Sequence, residues 1–445
     1  MGGTARINRA VPGATHMPAR ASYRDLVRIT GPWFLVLSFL ARLPAAMGPL
    51  GVITLVVAAT GSYGTAGLAT AAFGIGAALG GPVTGTLADR FGQRAVGIAT
   101  AIVDAAAYAA LVLAVTGGLS AAVLPLAALA GFAMPQVGPL VRVRWAVLLG
   151  DRGQQRRLPT AMAYEGAADE ASFLAGPALV GILALSGWAG APLLVGSVLT
   201  VLAAVPFALH RTVPPVLRAP RADAPAGPAA AEDAGRMPFS RVAVLVAAMS
   251  VIGIVFGATQ TGVTAFADSI GSAGSAGLIY AVLGVGSAVA GLAVAWLPES
   301  LGPVSRYVWS AAALVGGSAT LLLAHSTLSA LGTVVVLGVT AAPYLISGYA
   351  LAGRLCPPRR AGMVMTLLAS GVVAGVSLGA AAAGRLADAY GYRGAFTVPL
   401  AAAVLGLALA ALVAPGLRRA VHAADRADAA TTPHPATRPT ALTSA

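Results

Sequence analysis

Charge is scarce in this chain of 445 residues, since only 10% of them are charged. Soluble domains carry about 25% charged residues, so the chain cannot coat a water-facing surface of its size. Lysine does not occur at all, and the single cysteine, Cys356, has no intrachain partner for a disulfide. The remainder is rich in apolar residues (58%) and contains 55 glycines. These proportions exclude a disordered, collagenous or disulfide-built protein and indicate a chain that crosses a membrane many times.

Long apolar runs, separated by polar or turn-rich breaks, indicate where the membrane spans lie. An α-helix needs about 20 apolar residues to cross the hydrocarbon core, which these runs provide. The runs show no inside–outside alternation of the kind found in barrel strands, so helices are predicted. The predicted spans lie near residues 32–59, 64–88, 95–117, 119–148, 158–186, 190–209, 241–266, 274–297, 305–325, 328–351, 361–387 and 394–414.

The arginines are distributed very unequally over the breaks between the predicted spans. The two terminal tails, the central break and alternate short loops hold 23 of the 28 arginines, whereas the other loops hold only Arg385 and Arg393. Because positively charged loops are retained in the cytoplasm, both termini are predicted to be cytoplasmic. Residues 1–30 lack the apolar core of a cleavable signal peptide, so the first run is expected to remain as a span. The net charge of +13 then reflects topology, and no nucleic-acid partner is expected.

The central break is long and hydrophilic. Residues 210–240 are rich in proline, alanine and arginine, which predicts a flexible cytoplasmic linker between two halves. The polar, proline-containing C-terminal stretch predicts a disordered tail. The expected organisation is an N-terminal tail, a six-helix bundle, the linker, a second six-helix bundle and a C-terminal tail, over residues 1–30, 31–209, 210–240, 241–414 and 415–445.

The two halves contain related glycine patterns. TAGLATAAFGIGAALGG at 65–81 and SAGLIYAVLGVGSAVAG at 275–291 share four glycines at a constant offset of 210. Since both segments form the second helix of a half and run in the same chain direction, the halves are predicted to be a parallel repeat. The spacing of the glycines suits close helix packing and not phosphate binding.

A loop with glycines, one aspartate and two arginines joins the second and third predicted spans. It reads GTLADRFGQR and contains Gly85, Asp89, Arg90, Gly92 and Arg94. Glycines allow a tight turn, and an aspartate can accept hydrogen bonds from a neighbouring helix N-terminus or pair with an arginine. The loop is therefore interpreted as a gating latch that breaks when the halves separate. The alternative is a basic loop that contains one acid.

The same loop resembles the G-x-L-a-D-r-x-G-r-R signature of the major facilitator superfamily, found between helices two and three. The resemblance covers almost the whole chain. It implies an all-α membrane fold of twelve helices in two pseudo-symmetric six-helix bundles, with a substrate site between them. The corresponding loop of the second half, AWLPESLGPV at 295–304, keeps an acid and a glycine but lacks the closing arginine. The latch is therefore expected to be asymmetric.

A second motif lies in the fifth predicted span, where Gly176, Pro177 and Gly181 are spaced as G-P-x-x-x-G. It is similar to the G-P-x-x-G-G motif of proton-coupled drug exporters of the superfamily, with Val180 in place of the first of the two glycines. A proline kink packed through small residues would have the same geometry. The fourth span keeps an arginine but departs from the exporters' pattern around it.

Seven charged residues fall within predicted spans of the first half, where each costs at least about 2.5–3.5 kcal/mol unless it is paired or hydrated. Arg142 and Glu165 lie at similar depth and are predicted to pair. Arg42 lies level with the other acids. The seven residues are Arg42, Asp104, Arg142, Arg144, Glu165, Asp169 and Glu170.

Four acids and three arginines leave one acid without a partner in this set. Burial of an unpaired carboxylate favours its neutral form, so that it can bind and release a proton. Asp169 and Glu170 are adjacent and about 100° apart around a helix, so one of them is expected to face the cavity. Glu170 or Asp169, followed by Asp104, are the candidate proton-coupling residues. The alternative is a purely structural salt-bridge network.

Some polar and aromatic residues within the spans are candidates for lining a substrate cavity. They are weaker candidates than the charged residues, because most such residues pack in cores or at the membrane interface. No histidine spacing suits a metal, no cofactor is expected, and no clustered catalytic set suggests an enzyme. The cavity candidates are Gln136, Gln260, Tyr280, Trp309 and Tyr344.

The expected function is secondary active transport of a small molecule by alternating access in a bacterial cytoplasmic membrane. The charges in the first half and the motif of the fifth span favour proton-coupled efflux of a drug-like molecule or secreted metabolite. A nutrient or sugar importer is the main alternative, and a membrane sensor or enzyme is another. The expected partners are the substrate, protons and the lipid bilayer, and the protein is expected to be a monomer.

Overall fold

The structure is a computed structural model that describes residues 23–214, 239–294, 301–356 and 361–431. All regular elements in these four ranges are helical. Most of the predicted linker over 210–240, most of the second-half loop over 295–304, residues 1–22 of the N-terminal tail and residues 432–445 of the C-terminal tail lie outside the described residues. Residues 415–431, which the sequence assigned to a disordered tail, are instead helical.

The first half contains ten α-helices within residues 23–214. Two predicted spans are each built from two helices, α2 with α3 and α6 with α7, and a third is built from α9, a π-helix over Thr200–Ala204 and α10. The helices are α1 (Tyr23–Thr30), α2 (Pro32–Leu40), α3 (Leu43–Thr60), α4 (Tyr63–Phe91), α5 (Gln93–Thr116), α6 (Ser120–Ala133), α7 (Val137–Asp151), α8 (Leu158–Ala184), α9 (Ala191–Leu199) and α10 (Val205–Leu209).

The second half contains five α-helical segments in the described residues from 239 onward. They are α11 (Phe239–Ser269), α12 (Ala276–Val294), α13 (Pro303–Thr320), α14 (Thr327–Leu355) and α15 (Ala361–Thr431). The segment α15 is broken at Gly391, whose φ of 68° and ψ of −167° favour glycine. Gly375 in the first arm of α15 lies against Ser250, and Gly406 in the second arm lies against Val251. Both arms therefore pack along α11, and the chain reverses at Gly391.

Ten helical stretches among the described residues are long and apolar enough to cross a membrane. One of them, Met363–Arg426, includes both arms of α15. The helix α13 is not among the ten, but it packs against α14 and α15 at the predicted position of the ninth span. The architecture is therefore consistent with the twelve predicted spans.

Several helices begin or end at residues suited to their turns. Gly61 ends α3 in the left-handed conformation with φ of 66°. The hydroxyl of Ser62 then caps α4 by accepting a hydrogen bond from the backbone N–H of Thr65 at 3.1 Å. A serine side chain at this position satisfies a donor that the helix itself leaves free. Ser326 caps α14 in the same way, through the backbone N–H of Ser329.

Each half buries its own apolar core. In the first half, the ring centroids of Phe34 and Trp145 lie 5.5 Å apart in an edge-to-face arrangement. In the second half, those of Tyr307 and Tyr344 lie 5.4 Å apart. Aromatic pairs at these separations pack favourably. The two halves are thus packed as separate bundles.

Equivalent glycines make equivalent contacts in the two halves. Gly76 of α4 lies against the backbone of Ala128 in α6, and Gly286 of α12 lies against the backbone of Val335 in α14. The two glycines are one of the pairs found at an offset of 210 in the sequence. The glycine pattern therefore reflects a structural repeat that runs in the same direction in both halves.

The two halves contact each other through α4 with the first arm of α15 and through α8 with α12. At the second contact the backbone of Gly181 lies against that of Gly277. A Cβ atom on Gly181 would lie 2.6 Å from the backbone nitrogen of Leu278, so a side chain cannot be accommodated without movement. Glycine is required for this close approach of two helices.

The loops between helices lie at two ends of the bundle. One end, here called the basic end, carries Arg94, Arg152 and Arg354. The opposite end, here called the Asp388 end, carries Ser62 and Asp388, which are hydrogen-bonded to each other at 2.8 Å.

Candidate functional site

Arg42 lies at the break between α2 and α3 and points into the first bundle. Its side chain is only 5% exposed. The Nε group donates to Oδ1 of Asp169 at 2.7 Å, and one amino group donates to the carbonyl of Ser38 at 2.8 Å. The other amino group pairs with the carboxylate of Glu165. Arg42 therefore joins two acids of α8, and its buried charge is fully paired.

Glu165 is completely buried and has two partners. One carboxylate oxygen pairs with Arg42, and the other accepts a hydrogen bond from the indole Nε1 of Trp145 at 2.7 Å. Glu165 and Asp169 are four residues apart and therefore lie on the same face of α8. A single arginine between them can bind both acids.

Arg142 of α7 completes the cluster by donating from Nη2 to Oδ2 of Asp169 at 2.5 Å. The predicted pair between Arg142 and Glu165 is not formed, so that prediction is wrong. Trp145 lies one turn further along α7 and uses the oxygen of Glu165 that Arg42 leaves free. The cluster of Arg42, Arg142, Glu165 and Asp169, here called the charge cluster, has equal numbers of positive and negative groups.

The charge cluster is buried on one side and partly exposed on the other. Glu165 and Arg42 are buried, whereas Asp169 is 29% and Arg142 is 37% exposed. Charged pairs that are partly hydrated are held less firmly than buried ones. Asp169 and Arg142 therefore form the edge at which the cluster can rearrange.

Glu170 lies beside this open edge. Within the described residues it has neither a hydrogen bond nor an ion pair, and its side chain is exposed. It interacts electrostatically with Asp169 and with Tyr349 of α14, and Tyr349 also interacts with Arg142. Because α14 belongs to the second half, Glu170 lies where charges of the first half face the second.

Asp104 is placed elsewhere, inside the first bundle between α5 and the sixth span. It is 1% exposed. Its Oδ2 accepts a hydrogen bond from the hydroxyl of Thr200 at 3.0 Å, and Oδ1 has no partner among the described residues. Thr200 begins the π-helix, a local irregularity that is frequent at functional sites. The structure therefore separates Asp104 from the charge cluster.

Arg144 is also separate from the acids. It is 1% exposed, and its Nε and Nη1 donate to the side-chain oxygen of Gln93 at 2.9 Å and the carbonyl of Phe207 at 2.7 Å. Its guanidinium lies 3.9 Å from the centre of the Phe207 ring. Arg144 binds neutral acceptors and therefore pairs with no acid. Two acids, Asp104 and Glu170, thus lack an arginine partner in the described residues, where one was expected. This corrects the expected count.

The predicted gating loop forms the turn between α4 and α5 at the basic end. Gly92 ends one helix and begins the next with φ of 89°, which favours glycine. Asp89 is exposed and has no hydrogen-bond or ion-pair partner in the described part of the chain, while the guanidinium of Arg90 lies 5.2 Å from the centre of the Phe91 ring. The latch expected of Asp89 is therefore not formed in this conformation. Two further motif residues lie in open surroundings, namely Gly85 and Arg94.

The motif of the fifth span packs on two sides. Gly176 lies against Ala46 of α3, where an added Cβ would be 2.6 Å from the Cβ of Ala46. Pro177 lies inside α8, and Gly181 lies against Gly277 of the second half. The motif thus joins the first span to the contact between the halves.

The cavity candidates occupy different environments. Tyr344 is fully buried in the core of the second half, and its hydroxyl donates to the carbonyl of Ala248 at 3.0 Å. Trp309 is 70% exposed on α13, as expected for an aromatic ring that faces the bilayer. Neither position lines an open cavity between the halves here. The others are buried or partly buried, namely Gln136, Gln260 and Tyr280.

Asp388 was not among the residues that the sequence predicted to be functional. Its Oδ1 accepts a hydrogen bond from the backbone N–H of Tyr63 at 2.6 Å, and its Oδ2 accepts one from that of Gly64 at 2.9 Å. An acid of the second half thus caps the N-terminus of α4 in the first. The hydroxyl of Tyr63 also donates to Asp268 at 2.8 Å. The Asp388 end is therefore closed by contacts between the halves. In the sequence, Ser62 is a residue typical of a helix start, and the first N–H groups of such a helix need acceptors from outside the helix.

Three solved structures that share this fold are a transporter and two homologues of transporters. The chain is similar to the nucleoside transporter NupG, with 18% identity, a TM-score of 0.62 and coverage of 86% of this chain and 98% of that one. It is similar to a bacterial homologue of the iron transporter ferroportin in an inward-facing state (16%, TM-score 0.63, coverage 87% and 99%). It is also similar to a bacterial homologue of the human lysosomal transporter Spinster in an inward-facing and occupied conformation (17%, TM-score 0.59, coverage 90% and 94%).

Sequence comparison gives the family directly. No curated protein matches the chain. The family model described as Major Facilitator Superfamily matches residues 34–337 and 329–443, which together span nearly the whole sequence. Together with the helical architecture, this match shows that the chain belongs to the major facilitator superfamily of membrane transporters.

Proposed function

We propose that this transporter exports a small amphipathic molecule in exchange for protons, and that Glu170 is the residue that binds the proton. The observation that carries the proposal is the position of Glu170, beside the open edge of the charge cluster and facing Tyr349 of the other half. An acid without a salt-bridge partner at this depth is functional by default.

The other two candidate acids are less suited to the role. Asp169 is held by both Arg42 and Arg142, so that protonation would leave an arginine without its acid. Asp104 is buried between α5 and the sixth span, away from the surface between the halves. Of the three, Glu170 alone combines the lack of an ion pair with a position that faces the second half.

Proton binding at Glu170 can be coupled to movement through the charge cluster. Ionised Glu170 repels the neighbouring carboxylate of Asp169 and interacts with Tyr349 of the second half, which also interacts with Arg142. Protonation removes both effects at once. A proton can shift the equilibrium between two conformations only if it binds one of them more tightly than the other. The change in contacts between the halves would provide this difference and so couple proton binding to movement.

The conformation fits a transporter that accepts substrate at the basic end. Contacts at Asp388 and Gly181 close the opposite end, whereas Asp89 at the basic end has no partner among the described residues. The excess of arginine favours a cytoplasmic basic end, with both termini in the cytoplasm of a bacterial cell. An exporter loads its substrate from that side. Rocking of the halves would then open the Asp388 end.

Import of a nutrient remains the second candidate. Similarity of the fold to a nucleoside transporter supports it, although the sequence identity of 18% extends to the fold alone. The two candidates differ in the direction of net flux and in the chemistry of the substrate, so one assay can separate them.

Transport by purified protein in liposomes tests the proposal. Two probes are used, ethidium as an amphipathic cation and uridine as a nutrient, each under an imposed pH gradient of either direction. We expect ethidium to move against its gradient in exchange for protons, with the flux lost in Glu170→Gln. Asp425→Asn is the matched control, because Asp425 is a surface acid whose only ion pair among the described residues is a 3.7 Å contact with Arg354.

Two further variants, Asp169→Asn and Asp104→Asn, complete the experiment. If Glu170→Gln retained full gradient-driven flux while Asp104→Asn lost it, the proton site would be wrong. If wild-type protein accumulated uridine and ignored ethidium, the importer would replace the exporter.

A further inference from the structure

Arg144 is a buried arginine whose charge is not balanced by any acid among the described residues. It binds only neutral acceptors, the side chain of Gln93 and the carbonyl of Phe207. Its second amino group, Nη2, is buried and has no hydrogen-bond partner in the described part of the chain. A buried guanidinium with a free donor is costly, so an anionic partner is expected for it.

The side chain of Arg144 reaches the start of α5 at the basic end. Its contact with Gln93, the first residue of that helix, fixes this position at 2.9 Å. The first backbone N–H groups of a helix have no partner within it, and no side chain in the described residues caps this one. Arg144, which carries a free donor, therefore lies beside a helix start that no side chain in the described residues caps. Such an arrangement is suited to an oxyanion.

Open space adjoins these donors. An internal cavity of about 10 Å³, room for a single water molecule, is lined by Gln93 and Arg144. A larger depression of about 540 Å³ is lined by Gln93, Gly92 and Arg94 but not by Arg144. Gln93 thus lies between the two. The larger depression opens at the basic end, at the level where lipid headgroups would lie if the helices span a bilayer.

The charges around the depression are positive. Arg94 lines it, and Arg211 lies nearby, where it donates weakly to the carbonyl of Thr30 at 3.4 Å. Burial, and then the positive charges of Arg144 and Arg211, lower the pKa of His210, which follows the sixth span. Arg144 and Arg211 are thus close enough to His210 to affect its titration.

We propose that Arg94 and the N-terminus of α5, supported by the nearby buried positive charge of Arg144, form a binding site for a phosphate group, supplied by an anionic phospholipid from the surrounding bilayer or by free phosphate. Phosphate oxygens can accept from a guanidinium and from helix N–H groups together. Basic pockets between transmembrane helices on the cytoplasmic side bind anionic headgroups in this way. The site is distinct from the charge cluster, because Arg144 shares no acid with it.

Binding of lipid is tested by native mass spectrometry of the full chain in detergent, after addition of phosphatidylglycerol or phosphatidylcholine. We expect the wild type to retain phosphatidylglycerol preferentially, and Arg144→Gln to retain it about fivefold less. Arg94→Gln is an exposed substitution that leaves the interior unchanged, and it is expected to weaken retention as well. Arg418→Gln, an exposed arginine of the second half, is the matched control and should have no effect.

Titration of His210 by NMR distinguishes an Arg144 that helps to bind phosphate from an Arg144 that has only a structural role. An anion beside Arg144 offsets its positive charge, so phosphatidylglycerol or inorganic phosphate should raise the pKa of His210 in wild type. In Arg144→Gln the pKa should already be higher and should no longer respond. A response to phosphate but not to phosphatidylglycerol would assign the site to free phosphate.

The proposal is overturned if neither probe changes the pKa of His210 and the Arg144→Gln protein retains phosphatidylglycerol as well as the wild type. It is also overturned if the pKa changes only when acids of the chain's own central segment are neutralised, because the partner of Arg144 would then be internal. The variants for that arm are Asp223→Asn, Glu232→Gln and Asp233→Asn.

Discussion

Asp388 and Tyr63 belong to different halves of the bundle, and the carboxylate of Asp388 accepts a hydrogen bond from the backbone N–H of Tyr63 at 2.6 Å. The same carboxylate binds the next N–H along the chain and the hydroxyl of Ser62. One side chain of the second half therefore satisfies the start of a helix in the first. These bonds must break when the Asp388 end opens, so they stabilise the conformation described here relative to the open one.

Removal of this cap should favour opening of the Asp388 end. Asparagine retains only one acceptor oxygen and no charge, so Asp388→Asn is expected to shift the population toward the open state about fivefold. The shift can be measured as the distance between spin labels on opposite halves at the Asp388 end, introduced by Trp188→Cys and His325→Cys. Replacing the single native cysteine by Cys356→Ala gives a clean background.

Asp425→Asn at the basic end serves as the control for Asp388→Asn and should leave the label distances unchanged. An unaltered distance distribution in Asp388→Asn would show that the cap does not contribute to closure.

The contact between Gly181 and Gly277 should also be necessary for closure. A side chain at Gly181 would collide with the backbone of α12, so Gly181→Val is expected to hold the halves apart at the Asp388 end and to abolish cycling. Label distances and ethidium flux both report this effect. Gly316→Ala is the matched control, because no atom lies within 4 Å of a Cβ at that position. Wild-type flux in Gly181→Val would contradict the importance of the contact.

The charge cluster predicts a ranking of stabilities. Glu165→Gln leaves Arg42 with a buried charge that is only partly paired, which should lower stability by about 3–5 kcal/mol. Trp145→Phe removes one hydrogen bond to the same carboxylate and should cost about 1–2 kcal/mol. Thermal unfolding of the purified variants in detergent measures the order. The double variant Arg42→Met with Glu165→Met should be less destabilised than the sum of the single changes. Equal effects of Glu165→Gln and Trp145→Phe would argue against a buried ion pair.

The sequence was sufficient to predict the helices because membrane spans depend on one property, the length of an apolar run. Even the reversal between the last two spans was placed between residues 387 and 394, where Gly391 breaks the helix. The glycine repeat was equally visible, since close packing of helices requires small residues at fixed spacing. Contacts such as that between Gly76 and Ala128 follow directly from it.

Side-chain pairing was harder to predict, because the sequence gives the depth of a residue in the membrane but not which neighbouring helix its side chain faces. Arg142 and Glu165 are level, but the face shared by Glu165 and Asp169 allows Arg42 to bind both acids. Trp145 contributes an indole donor that charge counting does not consider. Contacts between the halves, such as that of Asp388 with α4, depend on packing over more than 300 residues of sequence and could not be predicted from local pattern.

Titration of Glu170 itself tests the central claim most directly, and it needs no knowledge of the substrate. Difference infrared spectra of the purified protein, recorded between high and low pH, detect the carbonyl band of a carboxylic acid that gains a proton. The account predicts that one component of this band in the wild type is lost in Glu170→Gln and retained in Asp104→Asn. If Glu170→Gln lost no component while Asp104→Asn lost one, the account would be contradicted.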